Sequence, residues 1–251
     1  VKAHHLSASK VDLALHCLYW ARGDVQHPRR APGQAAARGI AVHKASENYH
    51  LKKPLPELDS DATAMWLTLR NWLASNEQAT HVELPILYDA ENDTATVCEM
   101  GADERAYLNV TPMTIPMRLD LVWAPSTHGE PIVIDIKTGS RSNAATPAEN
   151  FQLATQAVGY SRLLRWAGSM TVGLLFPMKT KTHDDRHTLD ADALDAHAGL
   201  LHRRLRMIPD AQPEKGQHCW KCPVGPTRDH QATCPAWAKE EACSQSPSPE
   251  I

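Results

Sequence analysis

Between Pro116 and Ser140 the chain reads P-M-R-L-D-L-V-W-A-P-S-T-H-G-E-P-I-V-I-D-I-K-T-G-S, two short apolar runs that are each broken by one acid. The runs, Leu119 to Trp123 and Ile132 to Ile136, are joined by a Pro/Ser/Gly-rich connection, which predicts an antiparallel β-hairpin. Asp120 falls inside the first strand and Asp135 inside the second. Lys137 follows Asp135 by two residues, so their side chains leave the same face of that strand. Burying two carboxylates and an ammonium among apolar neighbours costs several kcal/mol per ion unless the charges are paired or bind a metal. The spacing asks for a cation.

Asp120, then Asp135-Ile136-Lys137 followed by Thr138-Gly139, resembles the D…(D/E)-x-K core of the PD-(D/E)xK nuclease superfamily, and V-I-D-I-K-T-G resembles its RecB/Cas4-like branch. The resemblance implies that Asp120 and Asp135 hold a divalent metal, that the Ile136 carbonyl adds a ligand, and that Lys137 orients or activates the attacking water. Hard oxygen ligands of this kind suit Mg²⁺ or Mn²⁺, which polarise a phosphodiester and acidify water.

With 251 residues, 42% of them hydrophobic, the chain is long enough for one good core, so a single domain over residues 1–243 is expected, followed by a disordered Ser/Pro-rich tail at 244–251. No apolar run is long enough to span a membrane and no signal-peptide pattern is seen, so the expected location is cytoplasmic. A formal charge of −3 argues against a protein that coats DNA nonspecifically. Six cysteines in a cytoplasmic chain point to metal rather than disulfides.

Four further motifs lie on either side of the hairpin. Gly39-x-x-x-His43-x-x-x-Glu47 places His43 and Glu47 on one helical face. It resembles the family's first motif, which implies a metal contact for His43 and an orienting role for Glu47. A strand from His81 to Tyr88 carries Glu83, a minor site candidate. After the hairpin, a helix aligns Gln152, Gln156 and Tyr160 in one row. Gln156-x-x-x-Tyr160 resembles the Q-x-x-x-Y motif that implies approach to the active site and the DNA backbone, with Gln152 able to take the place of Gln156. Lys179, Lys181 and Arg186 offer phosphate contacts.

The last motif is Cys219-x-x-Cys222 with Cys234 beyond it, a set of metal-ligand thiols to which Cys17, near the start of the chain, adds a fourth. One early and three late cysteines resemble the iron-sulfur members of the family. The resemblance implies a [4Fe-4S] cluster clasping segments 1–30 and 209–243, with Zn²⁺ as the alternative metal and Cys243, His218 or His230 as competitors for Cys234. A central mixed sheet flanked by helices, a restriction-endonuclease-like α/β core, is therefore expected. The implied function is metal-dependent cleavage of DNA, by an exonuclease on single-stranded ends. A catalytically silent DNA-binding subunit working with helicase, recombination or CRISPR-type partners is the competing reading.

Overall fold

The hairpin is present: β3 (Thr114–Trp123) and β4 (Ile132–Ile136) pair antiparallel, with Leu121 opposite Ile134 and Trp123 opposite Ile132. It forms the middle of a six-stranded sheet in the computed structural model, which describes residues 6–22, 24–25, 33–98, 109–125, 129–213 and 234–236. The strand order is β2-β1-β3-β4-β5-β6, where β1 is His81–Asp89, β2 Thr94–Val97, β5 Met170–Pro177 and β6 Thr182–Leu189. Only β4 and β5 run parallel, and helix α4 (Phe151–Leu164) supplies the crossover that a parallel pair requires. The sheet is mixed, as expected.

Helices cover both faces. A first core cluster gathers side chains of α1 (Val11–His16), α4 and α5 (Ala191–Met207) against one face, with Trp20, Tyr88, Tyr160 and Phe176 among them. A second lies on the other face beneath α2 (Gln34–His50) and α3 (Ser60–Ser75) and holds Trp66, Leu69, Leu121 and Ile134. Three helices begin on acid or amide caps: Asp59, Asn150 and Asp190 accept from the backbone N–H of Ala62, Leu153 and Ala193. Each cap stabilises its helix by about 1 kcal/mol. Among the described residues no helix is long and apolar enough to cross a membrane.

Two features depart from simple patterning. Strand β6, T-H-D-D-R-H-T-L, has neither apolar alternation nor a buried residue, and its polar stretch gives no strand signal. It forms through the backbone ladder to β5 at the edge of the sheet, where one solvated face is tolerated.

The second departure is in β1 and β3. Leu84, Ile86 and Tyr88 enter the first core together with their partners Leu119, Met117 and Ile115, whereas Val82 and Leu121 pack into the second. Strict alternation would put Val82 and Leu84 on one face, and Leu119 and Leu121 likewise. Both strands change faces at the same rung, Glu83 opposite Asp120, which the ladder skips while keeping its register. Glu83 makes the turn with φ of 52°, a left-handed conformation costing a non-glycine residue roughly 1–2 kcal/mol.

Candidate metal centre

The rung where the strands change faces carries two acids, and helix α2 lays a histidine across them. His43 Nδ1 lies 3.3 Å from Glu83 Oε1 and 3.4 Å from Asp120 Oδ1. One ligand atom from each of the three residues falls within 4.8 Å of the others. The helix reaches this close because of Gly39, one turn before His43: a Cβ there would stand 2.8 Å from Thr138 Oγ1. That contact ties the G-x-x-x-H spacing to the loop that follows Lys137.

Asp120 is 7% exposed, and its other oxygen, Oδ2, accepts from the Ile136 backbone N–H at 2.6 Å. The bond fastens β3 to β4 where the ladder between them ends. One step further along the same register Asp135 is opposite Asp120 and only 3% exposed. Its carboxylate faces α4. Lys137 Nζ pairs with Asp135 Oδ2 at 2.8 Å, and Gln152 Nε2 donates to Asp135 Oδ1. Lys137 Nζ also donates to Gln152 Oε1 at 2.8 Å, closing a triangle of three side chains.

Electrostatics follow from this packing. Burial pushes the Asp135 carboxyl above its ordinary range and the charge of Asp120 adds to the push, against the pull of Lys137. Burial works to lower the Lys137 pKa, but the charge of Asp135 outweighs it and the net direction is upward. His43 behaves the same way: burial disfavours its proton, yet Asp120 and Glu83 together hold the imidazole well above its usual value. The centre is a buried cluster of acids in need of positive charge.

Arg118 supplies some of it. Its Nε lies 2.6 Å from Glu83 Oε2 and one terminal nitrogen 3.8 Å from Glu47 Oε1. Glu47 also pairs with Lys44 at 2.8 Å, so its carboxylate is held by Lys44 and Arg118 rather than by His43. Sequence reasoning gave Arg118 no role. The available signal was a lone cation in an otherwise apolar strand, two residues before Asp120.

The structure thus brings His43, Glu83, Asp120, Asp135, Ile136 and Lys137 together. In the glutamine row it is Gln152 that reaches Asp135 and Lys137. Gln156, one turn on, donates to the Arg118 carbonyl at 3.1 Å, and Tyr160, 1% exposed, sits in the first core with its pKa raised by burial to about 12. Lys179 pairs with Asp61 at 2.6 Å and Arg186 with Asp184 at 2.9 Å. Cys17 ends α1, and both it and Cys234 are buried in the first core cluster. Cys219, Cys222, Cys243, His218, His230 and the tail lie outside the described residues.

The donor set, two carboxylates and an imidazole with a third carboxylate beside them, fits a hard divalent cation of the Mg²⁺ or Mn²⁺ type. Fold and centre together define an α/β protein with a restriction-endonuclease-like core and an acidic metal-binding centre on its middle hairpin. The family model of the PD-(D/E)XK nuclease superfamily matches residues 5–227, and the chain belongs to that superfamily. No curated protein gives a significant match. Among solved structures, that of SSO0001 is similar over 65% of this chain at 19% identity, with a TM-score of 0.35. This chain spans 66% of the length of that one.

Proposed function

We propose that the protein is a divalent-metal-dependent nuclease that hydrolyses DNA phosphodiesters, acting as an exonuclease on single-stranded ends. The observation that carries this reading is the convergence of His43, Glu83 and Asp120 within 4.8 Å, beside the Asp135–Lys137 pair. His43, Asp120, Asp135 and the Ile136 carbonyl would hold Mg²⁺ or Mn²⁺, with Glu83 as a further oxygen donor. A cation held there supplies Lewis acidity toward the phosphodiester and acidifies water.

The chain's own residues do the rest. Lys137, held by Gln152, carries its ammonium to the charge that develops on the phosphoryl oxygens or assists deprotonation of the attacking water. Asp120 fixes the Ile136 peptide through its N–H. Gln152 performs the positioning anticipated for Gln156, while Gln156 ties the helix to β3 through the Arg118 carbonyl and Tyr160 packs in the first core. The superfamily match supports a nucleic-acid substrate; single-stranded DNA ends and helicase, recombination or CRISPR-type partners rest on the RecB/Cas4-like resemblance. So does a [4Fe-4S] cluster on Cys17, Cys219, Cys222 and Cys234, for which Zn²⁺ is the alternative; a single domain over residues 1–243 and a cytoplasmic location, expected from length and composition, belong to the same proposal.

One anaerobic preparation tests the reading. It is assayed for iron and visible colour, then given Mn²⁺ or Mg²⁺ with end-labelled single- and double-stranded DNA, beside Lys137→Ala. Lys137-dependent cutting of single strands is expected from brown, iron-containing protein. Wild-type protein that cuts neither strand form with either metal overturns the nuclease assignment, and colourless protein with stoichiometric zinc overturns the cluster.

A further inference from the structure

The registers on either side of β5 align three residues across the sheet: Asp135 is paired with Leu174, and Leu174 with Asp185. Directly paired residues share a face, so all three look toward the side of the sheet that carries α4. Asp185 stands two strand spacings, about 10 Å, from Asp135. A cavity of about 440 Å³ opens at that end of the row. Leu174 and Phe176 are its apolar floor, Arg141 and Asp185 are the charged side chains of its rim, and β6 closes the edge at Asp184 and Arg186, whose side chains turn to the other face.

The connection from Lys137 to Gln152 forms the opposite wall, through Ala144 to Pro147. It is bolted to β6 by Arg141, whose Nε and terminal nitrogen each donate to one oxygen of Asp185 at 2.7 Å. The wall of the cavity and the residues that hold Asp135 are therefore one piece of chain. A larger cavity, about 550 Å³, lies by Arg165 and Trp166, some 20 Å along α4 from Gln152, too far to share a nucleotide with the metal centre.

Charge selects the occupant. The guanidinium on this face, Arg141, is matched by Asp185, while Arg186 pairs with Asp184 over Trp72 on the opposite face of the sheet, so a phosphate finds no net attraction in the cavity. A neutral planar group finds an apolar floor with hydrogen-bond donors and acceptors around its edge. Base edges present that mixture, and arginine and aspartate are side chains that read it.

We propose that this cavity seats a nucleobase of the strand being cut, on the nucleotide next to the scissile phosphate. The proposal rests on the nuclease reading and deepens it. The connection between Lys137 and Gln152 is then both a support for the metal centre and a wall of the base seat.

The test uses the full chain with Mn²⁺ and a set of end-labelled single strands, each carrying one abasic position, stepped through the nucleotides around the cleavage point. One position is expected to slow cleavage by about fivefold or more, the range that loss of one base contact gives. With Ca²⁺ in place of Mn²⁺, 2-aminopurine at that position is expected to change fluorescence on binding. Ala145→Trp, which fills the cavity, is expected to abolish that change while anisotropy still reports a bound strand. The abasic scan decides on the wild type alone should the variant not fold. A flat scan with intact strands still cut overturns the base seat and leaves the nuclease standing. Absence of cutting and binding for every strand with Mg²⁺ and Mn²⁺ overturns both.

Discussion

The Gln152 carbonyl accepts a hydrogen bond from Lys137 Nζ at 2.8 Å, and the same amide donates to Asp135, the acid with which Lys137 is paired. One neutral side chain thereby fixes both members of the ion pair. It stands in the first turn of α4, whose start is set by the Asn150 cap. Gln152→Ala is expected to lower single-turnover cleavage by about 10- to 100-fold, the usual effect of losing a group that orients a metal-site residue. Circular dichroism and the melting temperature should stay close to wild type, and a variant that cuts at full rate would remove Gln152 from the site.

Glu83 combines a charge role with a backbone role, and two substitutions separate them. Glu83→Ala and Glu83→Gly both remove the carboxylate, and each is expected to weaken Mn²⁺ binding, measured calorimetrically, by about tenfold or more. Only glycine relieves the φ of 52°. Glu83→Gly should be more stable than Glu83→Ala by about 1 kcal/mol in urea unfolding. Equal stability would mean that the strand does not hold that conformation in solution.

Gly39 sets the approach of α2 to the Lys137 loop. Gly39→Ala puts a methyl 2.8 Å from Thr138 Oγ1 and should destabilise the protein, although alanine is the better helix former. With Thr138→Ala already in place the same change should become stabilising, by up to about 1 kcal/mol. A double-mutant cycle reads the difference as coupling between the two sites. Additive effects would place the helix farther from the loop than the structure has it.

His197 supplies a pH dependence that is independent of the metal centre. It is buried between α5 and α4, with Nε2 2.9 Å from Thr155 Oγ1 and its ring near Phe151. Burial lowers its pKa to about 4. The folded state therefore refuses a proton that the unfolded state takes up below about pH 6.5. This share of stability is complete above that pH and is lost as the pH falls to about 4, with a limit of about 3 kcal/mol. Urea unfolding of wild type and His197→Gln at pH 7.5 and 4.5 should show the larger acid loss in the wild type; parallel losses would contradict the buried neutral imidazole.

Much of this fold is legible in the chain because local signals agree with burial. The hairpin, α3, α4, β5 and α5 each have an apolar period and a turn or cap at their ends. Strand β6 lacks any such period, since its ladder is made by backbone atoms that every residue has. At the metal centre, the charges of Asp120, Asp135 and Lys137 are readable from spacing, and His43 only from the resemblance of Gly39-x-x-x-His43-x-x-x-Glu47 to the family's first motif. Gln152 and Gln156 lie four apart on one face, and only the direction of α4 over β4 decides which of them reaches Asp135. Arg118 and Glu83 meet across strands, a relation that spacing along one strand does not contain.

The rung where β1 and β3 change faces has a consequence for moving this centre into another scaffold. Glu83 and Asp120 belong to two strands whose inner and outer sides trade places at that point, so each acid touches the seam between two separate hydrophobic cores. Copying the D…D-x-K hairpin alone onto a regularly alternating sheet would carry Leu119 and Leu121 to the same side and expose one core's share of the strand. The portable unit is the crossed pair β1 and β3 together with β4, and a graft that keeps the three strands inherits the seam along with the ligands.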